Sequence, residues 1–360
     1  MELLMSSSVP KLKTIAENLG LSIGTVQRAL HDKGGYSQET KEMVLKEAER
    51  IGYTANTAAS ALRRSPISIG ILLPEPVGKN SYFFSYVWQG IEKAVSDLSM
   101  YQINLVRTFA EPGSEEYVAA LESFLNSTDS AIQGLITVTR HDKRVDQLIS
   151  ALSEKGIPIF IINSSYENAP ANCYSISANR HIGHLGADLF SAIHRHTRGT
   201  LLLLGGDRKN RLQVERSLDF CQRIGADCPE LNLLEVHYYH DLPKLKAFVS
   251  DCLSRFEDII GLFAVSARET LTACQAVSDS GNRDITLIGT DAFPELLPFF
   301  ESGILTASIY QYPAKQSYIA VHMLVSAITK APQQQSGDNF PIVPVFKSTA
   351  AIFCGPNGLI

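Results

Sequence analysis

The sequence predicts an all-α head followed by an α/β body of two lobes, each built on a doubly wound parallel sheet. Three observations predict it. Residues 11–52 carry only helical periodicity, whereas β-branched runs alternate with amphipathic stretches from Ile67 onward. Ten such runs are too many for one comfortable sheet. With 360 residues, two or three modules are expected.

In the head, Leu12, Ile15 and Leu19 recur at helical spacing until Gly20-Leu21-Ser22 breaks the pattern. Ser22 suits an N-cap, and Val26, Ala29 and Leu30 give a second helix, Ile23 to about His31, its apolar face. Gly34-Gly35 lies in the next loop. Ser37 caps a third helix, in which Met43 or Val44, Ala48 and Ile51 repeat before a stop at Gly52. Two short helices joined by a glycine-containing turn form a helix-turn-helix unit. The second helix of such a unit presents its first residues to base edges. That position holds Ile23, Gly24, Thr25 and Gln27, and Arg28 one turn on has the fork to read guanine. Residues 1–64 carry nine Lys/Arg against seven Asp/Glu, so +2 of the net −5 sits there and −7 on the rest. A polyanion belongs on the head.

In the body, strands are expected at 67–73, 103–108, 134–139, 158–163, 173–177, 200–205, 234–239, 260–265, 285–289 and 305–311. Helices fill most gaps, among them 84–99, 115–126, 145–155, 182–194, 212–224 and 245–256. Alternation of this kind implies right-handed crossovers and ligand binding beyond the carboxyl ends of the strands.

Several function classes are excluded. No stretch of about 18 apolar residues could span a membrane, and Met1–Met5 shows neither a basic nor an apolar leader region, so a cytoplasmic, nucleoid-associated protein is expected. Six cysteines without a Cys-x-x-Cys pair rule out a disulfide scaffold. His181-x-x-His184 and His194-x-His196 lack the carboxylate or thiol that would complete a metal site. Leu204-Gly205-Gly206-Asp207 lacks phosphate-loop spacing, and no nucleophile elbow occurs, so neither cofactor nor enzyme activity is expected.

The run from Lys13 to Leu30, followed by Tyr36-Ser-Gln-Glu-Thr40, Ala48-Glu-Arg-Ile-Gly-Tyr53 and Asn56-Thr-Ala-Ala-Ser-Ala-Leu-Arg-Arg64, closely resembles the lac repressor family of bacterial transcription regulators. The resemblance implies a DNA-binding head over residues 1–55 and a hinge helix or linker over 56–65. It adds Thr14, Ser22, Tyr36 and Asn56 to the DNA-facing set. Ala59 is implied as the small residue where two hinges meet, Leu62 as an intercalating wedge, and Arg63 as a phosphate partner. Gln27 departs from the family's usual Ser.

The body resembles the periplasmic sugar-binding proteins that this family uses as effector domain. The resemblance implies a two-lobed effector-binding and dimerisation domain over 66–360, the chain crossing between lobes near 164–170, 291–313 and 332–341. Ser81-Tyr-Phe-Phe-Ser85 is similar to the Asn-Pro-Phe-Phe run of the ribose-binding class, which makes Phe83 and Phe84 a stacking pair and Ser81 its polar neighbour. By the same likeness Arg216 donates to ligand hydroxyls, Asp291 accepts from them, and Gln311 contacts ligand from a hinge strand. Asn163-Ser164 stands where the class has Asp-Arg, and Ser266 where it has Asn-Asp, so the effector must differ from ribose in hydroxyl pattern. A pyranose, cyclitol or nucleoside fits. The family also implies a homodimer on a pseudopalindromic operator, and the last eight residues, without leucine heptads, give no expectation of a tetramer.

Overall fold

In the computed structural model, residues 12–30, 34–51, 65–127, 131–140, 142–163, 166, 169–176, 181–237, 241–281, 284–330 and 340–355 are described. The chain divides after Arg64 into two compact bodies.

The N-terminal body is three helices, α1 (Leu12–Leu19), α2 (Ile23–Leu30) and α3 (Gln38–Arg50). Their core is Ile15 with Ala16, Val26 with Ala29, and Val44 with Ala48, and the expected Leu12, Leu19, Leu30 and Ile51 pack against it partly buried. Ser22 Oγ accepts from the Thr25 amide, and Ser37 Oγ from that of Thr40, so both serines cap the helices they precede. The expected stop at Gly52 lies outside the described residues, as does the whole proposed hinge.

The second body starts with β1 (Ser68–Leu73), α4 (Ser81–Asp97), β2 (Asn104–Phe109), α5 (Glu115–Asn126), β3 (Gly134–Thr137), α6 (Lys143–Glu154), β4 (Ile159–Ile162) and β5 (Cys173–Ile176). Its five strands form a wholly parallel sheet in the order β2-β1-β3-β4-β5. Ile69, Ile71 and Phe160 on one face pack under α4, while Leu72, Leu135, Ile159 and Ile161 on the other pack against α5 and α6. Burial on both faces is why β1 is a continuous apolar run rather than an alternating one.

A second sheet follows, through α7 (Ile182–His194), β6 (Gly199–Leu204), α8 (Arg211–Asp227), β7 (Leu231–Val236), α9 (Leu242–Arg255), β8 (Ile259–Ala264), α10 (Ala267–Ser280), β9 (Thr286–Thr290), α11 (Leu297–Glu301), β10 (Ala307–Tyr310), α12 (Pro313–Thr329), β11 (Val343–Val345) and α13 (Lys347–Phe353). The strand order is β11-β10-β9-β8-β6-β7, parallel except for β11. Leu201, Leu203 and Phe263 face α7 and α8, and Leu202, Leu204 and Leu262 face α9 and α10.

Several boundaries differ from the sequence expectation. β7 begins at Leu231 rather than 234, because an edge strand with most residues exposed shows no burial rhythm. β11 escaped notice because Pro344 interrupts it, which an edge strand tolerates. α4 starts at Ser81, three residues before the expected 84. The first crossing between lobes is not near 164–170: β5 pairs in register with β4, so the chain leaves the first lobe only between Ile176 and Ile182. The second crossing falls at Tyr310–Pro313, where α12 leaves β10 to pack on the first sheet, and the return lies between Thr329 and Val343.

Where α4 passes α12, a Cβ on Gly90 would lie 2.0 Å from the Ala314 carbonyl oxygen. Only glycine lets these two helices meet at that distance, and Ser317 Oγ donates to the Val87 carbonyl beside it. α4 also bridges the lobes, since Tyr86 is buried in the second lobe's core and Tyr82 stacks on Phe293 at 4.6 Å.

Candidate functional site

Both sheets reverse their winding at one place, between β1 and β3 and between β6 and β8. Open α/β sheets bind ligands at such switch points, beyond the carboxyl ends of the strands. A cleft, open at its mouth, lies there. Pro74 follows β1, Val138–Arg140 follow β3, Asn163 follows β4, Ser266–Arg268 follow β8, Asp291 follows β9 and Gln311 follows β10, and all line it.

The second lobe's wall is a bonded set of buried polar groups. Arg216 on α8 donates from Nη1 to the Val265 carbonyl at 2.8 Å and from Nη2 to Gln311 Oε1 at 3.0 Å. Gln311 Nε2 donates onward to Asp291 Oδ1 at 2.8 Å, and its carbonyl accepts from Gln316. Burial raises the Asp291 carboxyl to about 6 and lowers the Arg216 guanidinium to about 10, so opposite charges share a dry wall. Arg216 is thus buried in the wall, and Gln311 links it to Asp291. Asp291 holds φ at +70°, a left-handed conformation open to Asp and Asn, and Asn163 across the cavity holds +48°. Tyr312, also left-handed at +53°, starts the crossing into α12. Strained backbone thus gathers where the site and the crossing lie.

Ser266 lines the cavity as the N-cap of α10, accepting from the Glu269 amide. Its hydroxyl donates to Glu269 Oε2, and the Gly206 amide donates to Oε1. Burial drives the Glu269 carboxyl up to about 8, so this acid is largely protonated at neutral pH. It ties the loop after β6 to the first turn of α10.

The first lobe's wall is aromatic and half-exposed. Phe83 and Phe84 sit in the first turn of α4, edge to face at 5.3 Å, each with one side on the core and the other on the cavity. Ser81 is not among the lining residues. Because the helix already begins there, its hydroxyl turns back to the Gly78 carbonyl at 2.6 Å, and Asn80 takes the polar position instead, donating to Glu111. Arg140 from the first lobe meets Asp207 from the second at 2.9 Å, an ion pair across the cleft.

The structure thus gathers Phe83, Phe84, Asn163, Arg216, Ser266, Asp291 and Gln311 around one cavity. Sequence reading passed over Lys79, Arg140, Asp207, Gln213 and Arg268. The strand-end rule could have found Arg140 and Arg268, each a few residues past a switch-point strand.

In the N-terminal body, Ile23, Gly24, Gln27 and Arg28 share the exposed side of α2. Arg28 reaches back towards Thr25 Oγ1 at 3.5 Å and past Gly35. Ser22 is exposed, while Thr14, Thr25 and Tyr36 are half-buried at the edge of the core. Asn56, Ala59, Leu62 and Arg63 lie outside the described residues. Among the described residues no cluster of His, Cys, Asp or Glu could hold a metal, and no helix is long and apolar enough to cross a membrane.

Residues 69–332 match the family model described as a periplasmic binding protein domain. The ribose operon repressor of Bacillus subtilis (strain 168) is 22% identical over 94% of this chain and 98% of its own length. The HTH-type transcriptional regulator GntR of Escherichia coli (strain K12) is 29% identical over 51% of this chain, and the chain spans 57% of that relative. Among solved structures, a periplasmic solute binding protein from Actinobacillus succinogenes 130z with bound D-allose superposes with a TM-score of 0.69 at 20% identity, covering 80% of this chain and all of that one. A Bacteroides fragilis protein described as a LacI transcriptional regulator superposes at 0.68 with 19% identity, again over 80% of this chain and all of its own. Such structural likeness at low identity speaks for the two-lobed fold alone. The family model covers well over half of the chain, so this protein belongs to the periplasmic binding protein domain family, and a repressor aligns along nearly its full length.

Proposed function

We propose that this protein is a cytoplasmic, homodimeric, sequence-specific DNA-binding regulator, acting as a repressor, whose operator affinity is switched by a sugar-like molecule held between the two lobes. It is not an enzyme in this reading. The observation that carries it is the cavity, where a stacking pair, Phe83 and Phe84, faces the Arg216–Gln311–Asp291 network. Flat apolar rings opposite fixed donors and acceptors suit a ring that is apolar on its face and polar at its edge. Ligand closing the lobes would shift the equilibrium between two arrangements of the dimer and so the spacing of its two DNA-binding units.

On the DNA side, Ile23, Gly24, Thr25, Gln27 and Arg28 occupy the first turns of a recognition helix, with Thr14, Ser22 and Tyr36 at backbone positions. Asn56, Ala59, Leu62 and Arg63 complete the set as minor-groove hinge residues, Leu62 being the wedge. Selection of duplexes from a random pool by the full chain tests this. A pseudopalindrome is expected, and Arg28→Ala should relax one position of each half-site at a cost of about 1–3 kcal/mol. A pool that stays random after selection would leave a sugar-binding receptor, the role printed for several structural relatives, as the better description.

A further inference from the structure

The cavity's charge points to a more specific ligand. Among the described residues that line it, four cations (Lys79, Arg140, Arg216 and Arg268) face two carboxylates, Glu111 and Asp291. Two of those cations are buried, Arg216 at 4% and Arg268 at 8% exposure. Arg140 shares its charge with Asp207, and Glu111 already accepts from Asn80 at the exposed rim. The nearby buried acid, Glu269, spends both carboxyl oxygens on Gly206 and Ser266.

A second observation points the same way. The lining takes in the first turns of three long helices: Asn80, Tyr82, Phe83 and Phe84 on α4, Asn210 and Gln213 on α8, and Ser266 to Arg268 on α10. Each of those ends carries partial positive charge from its leading amides. Cationic side chains and helix dipoles therefore sum over one cavity. Arg268 makes the overlap most direct, because it is both a buried cation and part of the first turn of α10.

We infer that the effector is anionic, a sugar-sized ring or chain bearing one carboxylate or phosphate group, with Arg268 and Arg140 as the residues that recognise the charge. The inference rests on the proposed effector role of the cavity and names the ligand class for it. The carbohydrate part would lie between the phenylalanines and the Arg216–Gln311–Asp291 wall, and the anion would lie towards α10. Arg140 would then exchange or share Asp207 with the ligand, which couples anion binding to the contact between lobes.

Calorimetric titration of the full chain with matched probes tests this: D-glucose, D-glucuronate, D-gluconate and D-glucose 6-phosphate, and D-ribose with D-ribose 5-phosphate. We expect at least one acid or phosphate to bind tenfold or more tightly than its neutral parent, the preferred probe separating carboxylate from phosphate. Arg268→Gln should reduce that preference to within about threefold. Arg140→Gln keeps the test open should Arg268→Gln fail to fold. A neutral sugar bound more tightly than every anion, and releasing the selected DNA, would overturn the anionic inference and leave the regulator reading intact. No binding by any probe, with DNA affinity indifferent to all of them, would overturn both.

Discussion

The two walls of the cavity are built by opposite means. In the second lobe, Asp291, Arg216 and Gln311 are almost wholly buried and bond one another, so their geometry is set before any ligand arrives. In the first lobe, Phe83, Phe84 and Arg140 are half-exposed, and the ring pair is fixed mainly by packing on the core beneath α4. The contrast teaches a division of labour. A preorganised polar wall discriminates between hydroxyl patterns because mispaired buried groups cost about 1–3 kcal/mol each, while an apolar cover adds affinity with little selectivity.

The largest expected effect tests the rigid wall. Arg216→Met strands the Val265 carbonyl and Gln311 and removes the charge facing Asp291. Breaking such a buried set costs about 3–5 kcal/mol, read as a lowered urea midpoint of the second body. A loss under about 1 kcal/mol would mean that the wall is no more structural than the aromatic one.

The next effect is a pH dependence. Glu269 is raised by burial from 4.5 in the unfolded chain to about 8, so the folded state holds its proton more tightly. That contribution is full below pH 4.5 and is lost as pH rises towards 8. Glu269→Gln, which keeps an acceptor for Gly206, should flatten the fall in stability across that window. An unchanged slope would show the carboxyl to be ionised in the fold.

Smallest is Arg140→Ala. Its ion pair with Asp207 joins two lobes already joined by Tyr82, Tyr86 and α12, and Arg140 is 29% exposed. A change below about 1 kcal/mol in global stability is expected. Faster amide exchange should appear at the loops after β3 and β6, where the two lobes touch. Exchange confined to one lobe would show that the pair does not hold the cleft.

Legibility followed the same division. Arg216, Asp291, Gln311 and the two phenylalanines stood in motif-like runs at strand and helix ends, and the paired and central strands showed as apolar runs because both faces are buried. Arg140, Asp207 and Arg268 belong to no periodic pattern. Their meaning comes from two strand ends brought together across 67 residues of chain, as with Arg140 and Asp207. Ser81 was misplaced because nothing in Ser-Tyr-Phe-Phe-Ser marks where the helix begins. The preceding turn at Gly78–Asn80 decides that, turning the Ser81 hydroxyl onto its own backbone. β5 was found, but its lobe was not, since a short strand carries no label of the sheet it joins.

The most direct measurement is the affinity of the full chain for a DNA duplex it has itself selected, followed by fluorescence anisotropy as a cavity-binding ligand is added. We expect the affinity to change by about 5–150-fold at saturation, the span of a 1–3 kcal/mol coupling, and the ligand to bind correspondingly less or more tightly when DNA is present. A ligand that saturates the cavity and leaves DNA affinity unaltered would contradict the regulator we propose.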